Sequence, residues 1–160
     1  MTKMTLDLQG DQKVIVTRHF AAAPARLWAA HTDPALMRRW QTGPDGWVMT
    51  ACHCDARAGG TMRCDWAPEG GGAGAFHLTA EFLEVDPTRR MVHVERMFLP
   101  DATPDNHVET LFEAAGTGTK LTLIMTLPDA ATREIMLATG MADGMEASYA
   151  RFERLEAQAA

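Results

Sequence analysis

The 160-residue chain has the length of one ordinary domain, and its 46% hydrophobic and 22% charged residues sit near the average of soluble globular proteins, which argues against both disorder and a membrane protein. Its formal net charge of -6, with basic residues scattered among acids, argues against a nucleic-acid partner, because phosphate binding needs a clustered basic face. The opening MTKMTLDLQGDQKVIV lacks the ~7–15 apolar residues of a secretory signal, and no later run approaches the ~20 needed to span a bilayer. Three cysteines suit free thiols better than a disulfide framework. The expected location is therefore the cytoplasm, without membrane insertion.

In chain order, residues 1–12 are expected to be a flexible N-terminus. Residues 13–20, KVIVTRHF, read as a first strand because they are rich in β-branched and apolar side chains. Two short helices follow. Pro24 opens one that carries Leu27 and Trp28, and Asp33-Pro34 caps and opens another that carries Leu36, Met37 and Trp40. From Trp47 onward, period-two runs alternate with turn chemistry: Gly59-Gly60, PEGGGAG, Asp86-Pro87, PDATPD and Gly116-Thr117-Gly118. Six further strands are expected near 47–54, 61–67, 75–85, 90–98, 107–114 and 119–127, joined as an antiparallel meander. In the last of them Leu121, Leu123, Met125 and Leu127 share one face, which needs a cover. Asp129 can cap a long helix to about Ala157, with Met141, Met145, Phe152 and Leu155 at 3-and-4 spacing and Gly140 and Gly144 inside it. The expectation is an α+β fold over 13–157, a curved antiparallel sheet of about seven strands wrapped around the C-terminal helix, with 158–160 as a tail.

Four strings carry a family resemblance: AAPARLWAAHTDPALMRRW, DARAGGTMR, EFLEVDPTRRMVHVE and GTGTKLTL. Together with the element order, they resemble the helix-grip fold of the START-like, or SRPBCC, superfamily. Within it they are similar to the bacterial group named after the activator of the heat-shock-protein-90 ATPase. The motifs are structural and encode no catalytic residue. Where many relatives carry Gly-Trp in the last helix, this chain has Gly144-Met145. The resemblance implies a cavity between sheet and helix for a small apolar or aromatic molecule, a chaperone partner as a second reading, and a cyclase or dehydratase activity as a third. A link to stress response follows from the name alone. No cofactor is expected, and a homodimer is compatible with such domains.

Several residues are candidates for that cavity. Met136, Met141 and Met145 supply soft, adaptable surface at helical spacing, although methionines at that spacing are also ordinary core; Met125 lies on the apolar strand face. Trp28 and Trp40 could stack on an aromatic ligand or simply pack. Of six histidines, His77 and His93 fall in central strands and could exchange a proton near neutral pH. An inward Glu95 would need a partner such as Arg63, protonation or a ligand; the simpler reading points it outward, because Val92 and Val94 have the opposite parity. In CHCDARAGGTMRC, a hairpin pairing residues whose numbers sum to 116 would set Cys52 opposite Cys64, with Cys54 on the same face. Such a face could hold zinc with a fourth ligand or close a cross-strand disulfide, and the simplest reading is ordinary buried thiols. The only serine, Ser148, sits in no nucleophile elbow, which excludes serine hydrolysis, and no glycine run is followed by the lysine and hydroxyl of a phosphate loop, which argues against nucleotide hydrolysis.

Overall fold

A computed structural model of the chain describes residues 3–159. In chain order the elements are β1 (Thr5–Gln9), β2 (Lys13–Phe20), α1 (Pro24–Thr32), α2 (Pro34–Trp40), β3 (Trp47–Cys54), β4 (Thr61–Pro68), β5 (Phe76–Asp86), β6 (Arg90–Phe98), β7 (Asn106–Ala115), β8 (Gly118–Thr126), α3 (Ala130–Ala138) and α4 (Met141–Ala159). All eight strands form one antiparallel sheet in the order β1-β2-β8-β7-β6-β5-β4-β3. The meander from β3 to β8 runs back to lie beside β2, so early and late parts of the chain meet in the middle of the sheet. This α+β helix-grip architecture is the expected one, and β2 to β8 each fall within a residue of the ranges read from sequence.

Alternation along the strands sorts the side chains onto two faces. Val14, Val16 and Phe20 of β2, Leu121 and Met125 of β8, Val108 and Phe112 of β7 and Phe82 of β5 are buried on the face that meets the helices. From the other side come Leu27 of α1, Trp40 of α2, and Tyr149 and Phe152 of α4. Phe20 meets the rings of Tyr149 and Phe152 edge-on at 5.4 and 5.7 Å between centroids, and Trp40 stacks on Tyr149 at 5.9 Å. Interlocked rings of this kind fix the position of α4 over the sheet.

The β3–β4 turn shows why a glycine pair was needed. A Cβ on Gly60 would lie 2.0 Å from the Asp55 carbonyl oxygen, so only glycine fits. The turn is locked by bonds from Gly60 N–H to Arg57 O and from Asp55 N–H to Thr61 O.

Three expectations are corrected. Residues 1–12 contain β1, whose Leu6 lies opposite Val16; its turn into β2 is held by Arg133 Nη1, which donates to Gly10 O and Lys13 O at 2.8 and 3.2 Å. Met1 and Thr2 lie outside the described residues. At the other end, Gln158 and Ala159 continue α4 instead of forming a separate tail, and Ala160 is outside the described residues. The long C-terminal helix is two helices. Gly140 sits between them at φ +81°, after Thr139 has closed α3 with a bond to Met136 O. Its freedom to take a left-handed backbone, and not only its small size, is what the sequence uses there. An alanine at 140 should therefore cost about 1–2 kcal/mol. Thermal unfolding of G140A measures this, and an unchanged melt would mean that α3 and α4 can fuse without strain.

Candidate functional site

Register in the centre of the sheet decides which polar residues face the helices. Ala80, Glu95 and Asn106 are cross-strand neighbours, as are Phe82, His93 and Val108. Because Phe82 and Val108 belong to the core, His93 and Glu95 share the inward face. The simpler outward reading of Glu95 is thus overturned. It rested on Val92 and Val94, which lie on the outer face beside Glu84 and Glu109, and Glu81 and His107; valine in a strand reports β-propensity as much as burial.

His93 Nε2 lies 2.8 Å from Glu95 Oε1, with side-chain exposures of 9% and 19%. A carboxylate can only accept, so the proton of a neutral His93 belongs on Nε2 and its Nδ1 is left as a bare acceptor. That Nδ1 is buried without a partner, and so is Asn106 Oδ1. Two acceptors without a partner among the described residues, on one patch of the inward face beside Glu95, constitute the candidate site. Behind it stands His31 of α1, hydrogen-bonded through Nδ1 to Leu27 O at 2.8 Å and edge-on to Trp40 and Phe112. Burial pushes His31 down to about 4, the Leu27 bond opposes this, and the nearby His93 adds to it.

The other candidates disperse. Arg63 and His77 are on the outer face: Arg63 pairs with Asp65 at 2.9 Å, and His77 stacks on Phe98 at 4.4 Å. Arg63 is therefore not the partner of Glu95, and His77 does not reach the interior. Trp40 and Met125 are core, whereas Trp28 is half-buried against Phe112. Met136, Met141 and Met145 are half-buried around the same core. The hairpin register is the one whose numbers sum to 116: Cys52 faces Cys64 with their sulfurs 3.9 Å apart, and all three cysteines are free. Among the described residues no three His, Cys, Asp or Glu side chains are placed to hold a metal ion, so the three thiols do not assemble with a fourth ligand of those types into a zinc site.

Residues 21–156 match the family described as "Activator of Hsp90 ATPase homolog 1-like protein". The chain belongs to this family. Solved structures agree on the fold. A protein from Rhodobacter sphaeroides is similar at 27% identity and a TM-score of 0.90, covering 98% of this chain and 99% of that one. One from Mycobacterium smegmatis is similar at 21% and 0.82, covering 96% and 95%. An AHSA1-like protein from Aeromonas hydrophila is similar at 19% and 0.75, covering 90% and 94%. No curated protein is similar enough to count as a relative.

In this member of the activator-homologue family, sequence reading missed Asn106, Arg18 and the packing of half-buried His31 against Trp40 and Phe112. Asn106 follows a proline-rich turn whose length sets the register, so its facing had no local signal. Arg18 had one: it shares the parity of Val14, Val16 and Phe20. An open groove of ≈ 340 Å³ lies between the start of α1 and the end of α4, lined by Ala21–Ala23, Arg26, Glu153, Glu156 and Ala157, none of which was a candidate. A smaller one of ≈ 30 Å³ beside Trp40 and Phe152 is below the size of an organic ligand site, about 300 Å³. Among the described residues, no helix is long and apolar enough to cross a membrane.

Proposed function

We propose that the protein is a cytoplasmic binding module for a small apolar or aromatic molecule that carries a hydroxyl or N–H group. The observation behind this reading is the pair of buried acceptors, His93 Nδ1 and Asn106 Oδ1, beside Glu95 on the inward face of the sheet. A donor on the ligand would satisfy atoms that are otherwise costly to bury, and the half-buried methionines of α3 and α4 would adapt to its apolar body.

Native mass spectrometry of freshly purified protein, followed by organic extraction, tests occupancy. With 1-naphthol as the probe, binding should raise the melting temperature, whereas naphthalene should bind about tenfold more weakly or less. Asn106→Leu should remove most of that difference. Protein that arrives empty and gains no stability from either compound would sink the reading. It would favour a protein partner, for which the family's name argues, and a pull-down with the chaperone would follow. The hydrogen bond from His93 to Glu95 also suits general acid or base work. In an enzyme, Glu95→Gln should collapse turnover, while in a carrier it should change only affinity.

A further inference from the structure

The β3–β4 hairpin and α2 bring sulfur atoms together in a way that packing alone does not require. Cys52 Sγ is 3.9 Å from Cys64 Sγ and 3.8 Å from Met37 Sδ. Met37 and Cys64 are each 1% exposed and share a small second core with Met49. Met62, Cys54 and Trp66 pack around it, so the surroundings are apolar and rich in sulfur.

We propose that Cys52, Cys64 and Met37 form a site for a soft monovalent cation, Cu(I). Thiolate and thioether ligands select Cu(I) over harder ions. Metal–sulfur bonds of ~2.3 Å in a three-coordinate plane set the sulfurs about 4 Å apart, close to both separations seen here. Zinc would need a fourth ligand, and among the described residues no suitable group of three His, Cys, Asp or Glu exists. Cys54 stands opposite Met62, two residues along the strand from Cys52, and stays outside the site.

Charge and access fit this chemistry. Two thiolates around one monovalent ion leave a single negative charge, and the Arg38 guanidinium acts on Cys52. Cys52 is half-buried and is the thiol that meets the ion first. Binding displaces both thiol protons to solvent, with no change in the oxidation state of copper. The outward row His53 and Arg63 takes no part, which fits the strict alternation of the hairpin.

The test is an anaerobic titration of the reduced protein with Cu(I) supplied as its coloured bathocuproine disulfonate complex. Transfer of one Cu(I) per chain, read as loss of colour, is the expected result. Cys52→Ser and Cys64→Ser should each weaken binding by about 100-fold or more, and Met37→Leu by about tenfold, since even outer-shell partners are worth 10–100-fold. Cys54→Ser should bind as the unaltered protein does, and a hundredfold excess of zinc should not displace the copper. Cys64 is buried, so the melting of each variant is measured alongside; should Cys64→Ser fail to fold, half-buried Cys52 and the volume-conserving Met37→Leu still decide the matter. Retention of all the copper by the chelator, undiminished binding by Cys52→Ser and Met37→Leu, equal loss in Cys54→Ser, or displacement by zinc would each overturn the proposal.

Discussion

Arg18→Met should destabilise the protein by about 3–5 kcal/mol, because it leaves the buried Glu153 and the half-buried Glu146 without their cation. Arg18 is 2% exposed on β2, in the row of Val14, Val16 and Phe20. Its Nε and Nη2 donate to the two oxygens of Glu146 at 3.0 and 3.1 Å, and Nη1 donates to Glu153 at 3.4 Å. The guanidinium also lies over the rings of Phe20 and Tyr149, 4.8 and 5.7 Å from their centroids. One side chain therefore ties β2 to α4 by charge and by packing. Urea unfolding measures the loss. Adding Glu146→Gln and Glu153→Gln to Arg18→Met should recover a good part of it, since the damage comes from unpaired charge more than from lost contact. A loss below about 1 kcal/mol for Arg18→Met alone would mean that water reaches the carboxylates and that the cluster behaves as a surface pair.

Stability should fall with acid in two stages, the first of which belongs to His31. Its ordinary value is 6.5 and burial first of all sets it at about 4 in the fold. The unfolded chain then binds the proton more tightly, so stability is fully present above pH 6.5 and declines as pH falls towards 4. Over that window the loss sums to about 3 kcal/mol, at ~1.4 kcal/mol per pH unit. The second stage lies lower. Burial alone would raise Glu146, but its bonds to Arg18 and to the Met4 N–H outweigh this and hold the carboxyl below its ordinary value. Its contribution is present above the unfolded value of about 4.3 and is lost as pH falls through the lower folded one. Urea midpoints between pH 7 and 4 test the first stage. His31→Gln should flatten the slope there and leave the steeper fall below pH 4. A wild-type protein with a flat profile from pH 7 to 4.5 would show that the imidazole is solvated.

How much was legible follows from the physical range of each signal. The limits of β2 to β8 were readable to within a residue because turn residues and period-two alternation are local; β1, exposed along most of its length, was not. The hairpin was readable from its Gly59-Gly60 turn, but the pairing of Cys52 with Cys64 was only one of the registers the sequence allowed, since the connection from Cys54 to Met62 is long enough to permit a slip. The facing of Glu95 was not, since one residue of slip inverts a strand, and the β5–β6 pairing carries an irregularity between Phe82 and Glu84 that local parity cannot reveal. The break at Gly140 was misread for a related reason: helical spacing continues through Met136, Met141 and Met145 whether or not the backbone turns left-handed between them.

The sequence by itself determined the α+β class, the succession β2 to β8 with its two short helices, and the thiol-bearing hairpin, because propensity, turn chemistry and patterning act over a few residues; the helix-grip family was legible as a resemblance of four strings. The tertiary structure alone decided that Arg18 meets Glu146 and Glu153 across more than a hundred residues, that Asn106 joins His93 and Glu95, and that Met37 lies against Cys52. Those meetings depend on how the meander closes on β2 and where α2 and α4 settle on the sheet. They are outcomes of packing the whole core, and no stretch of a dozen residues contains them.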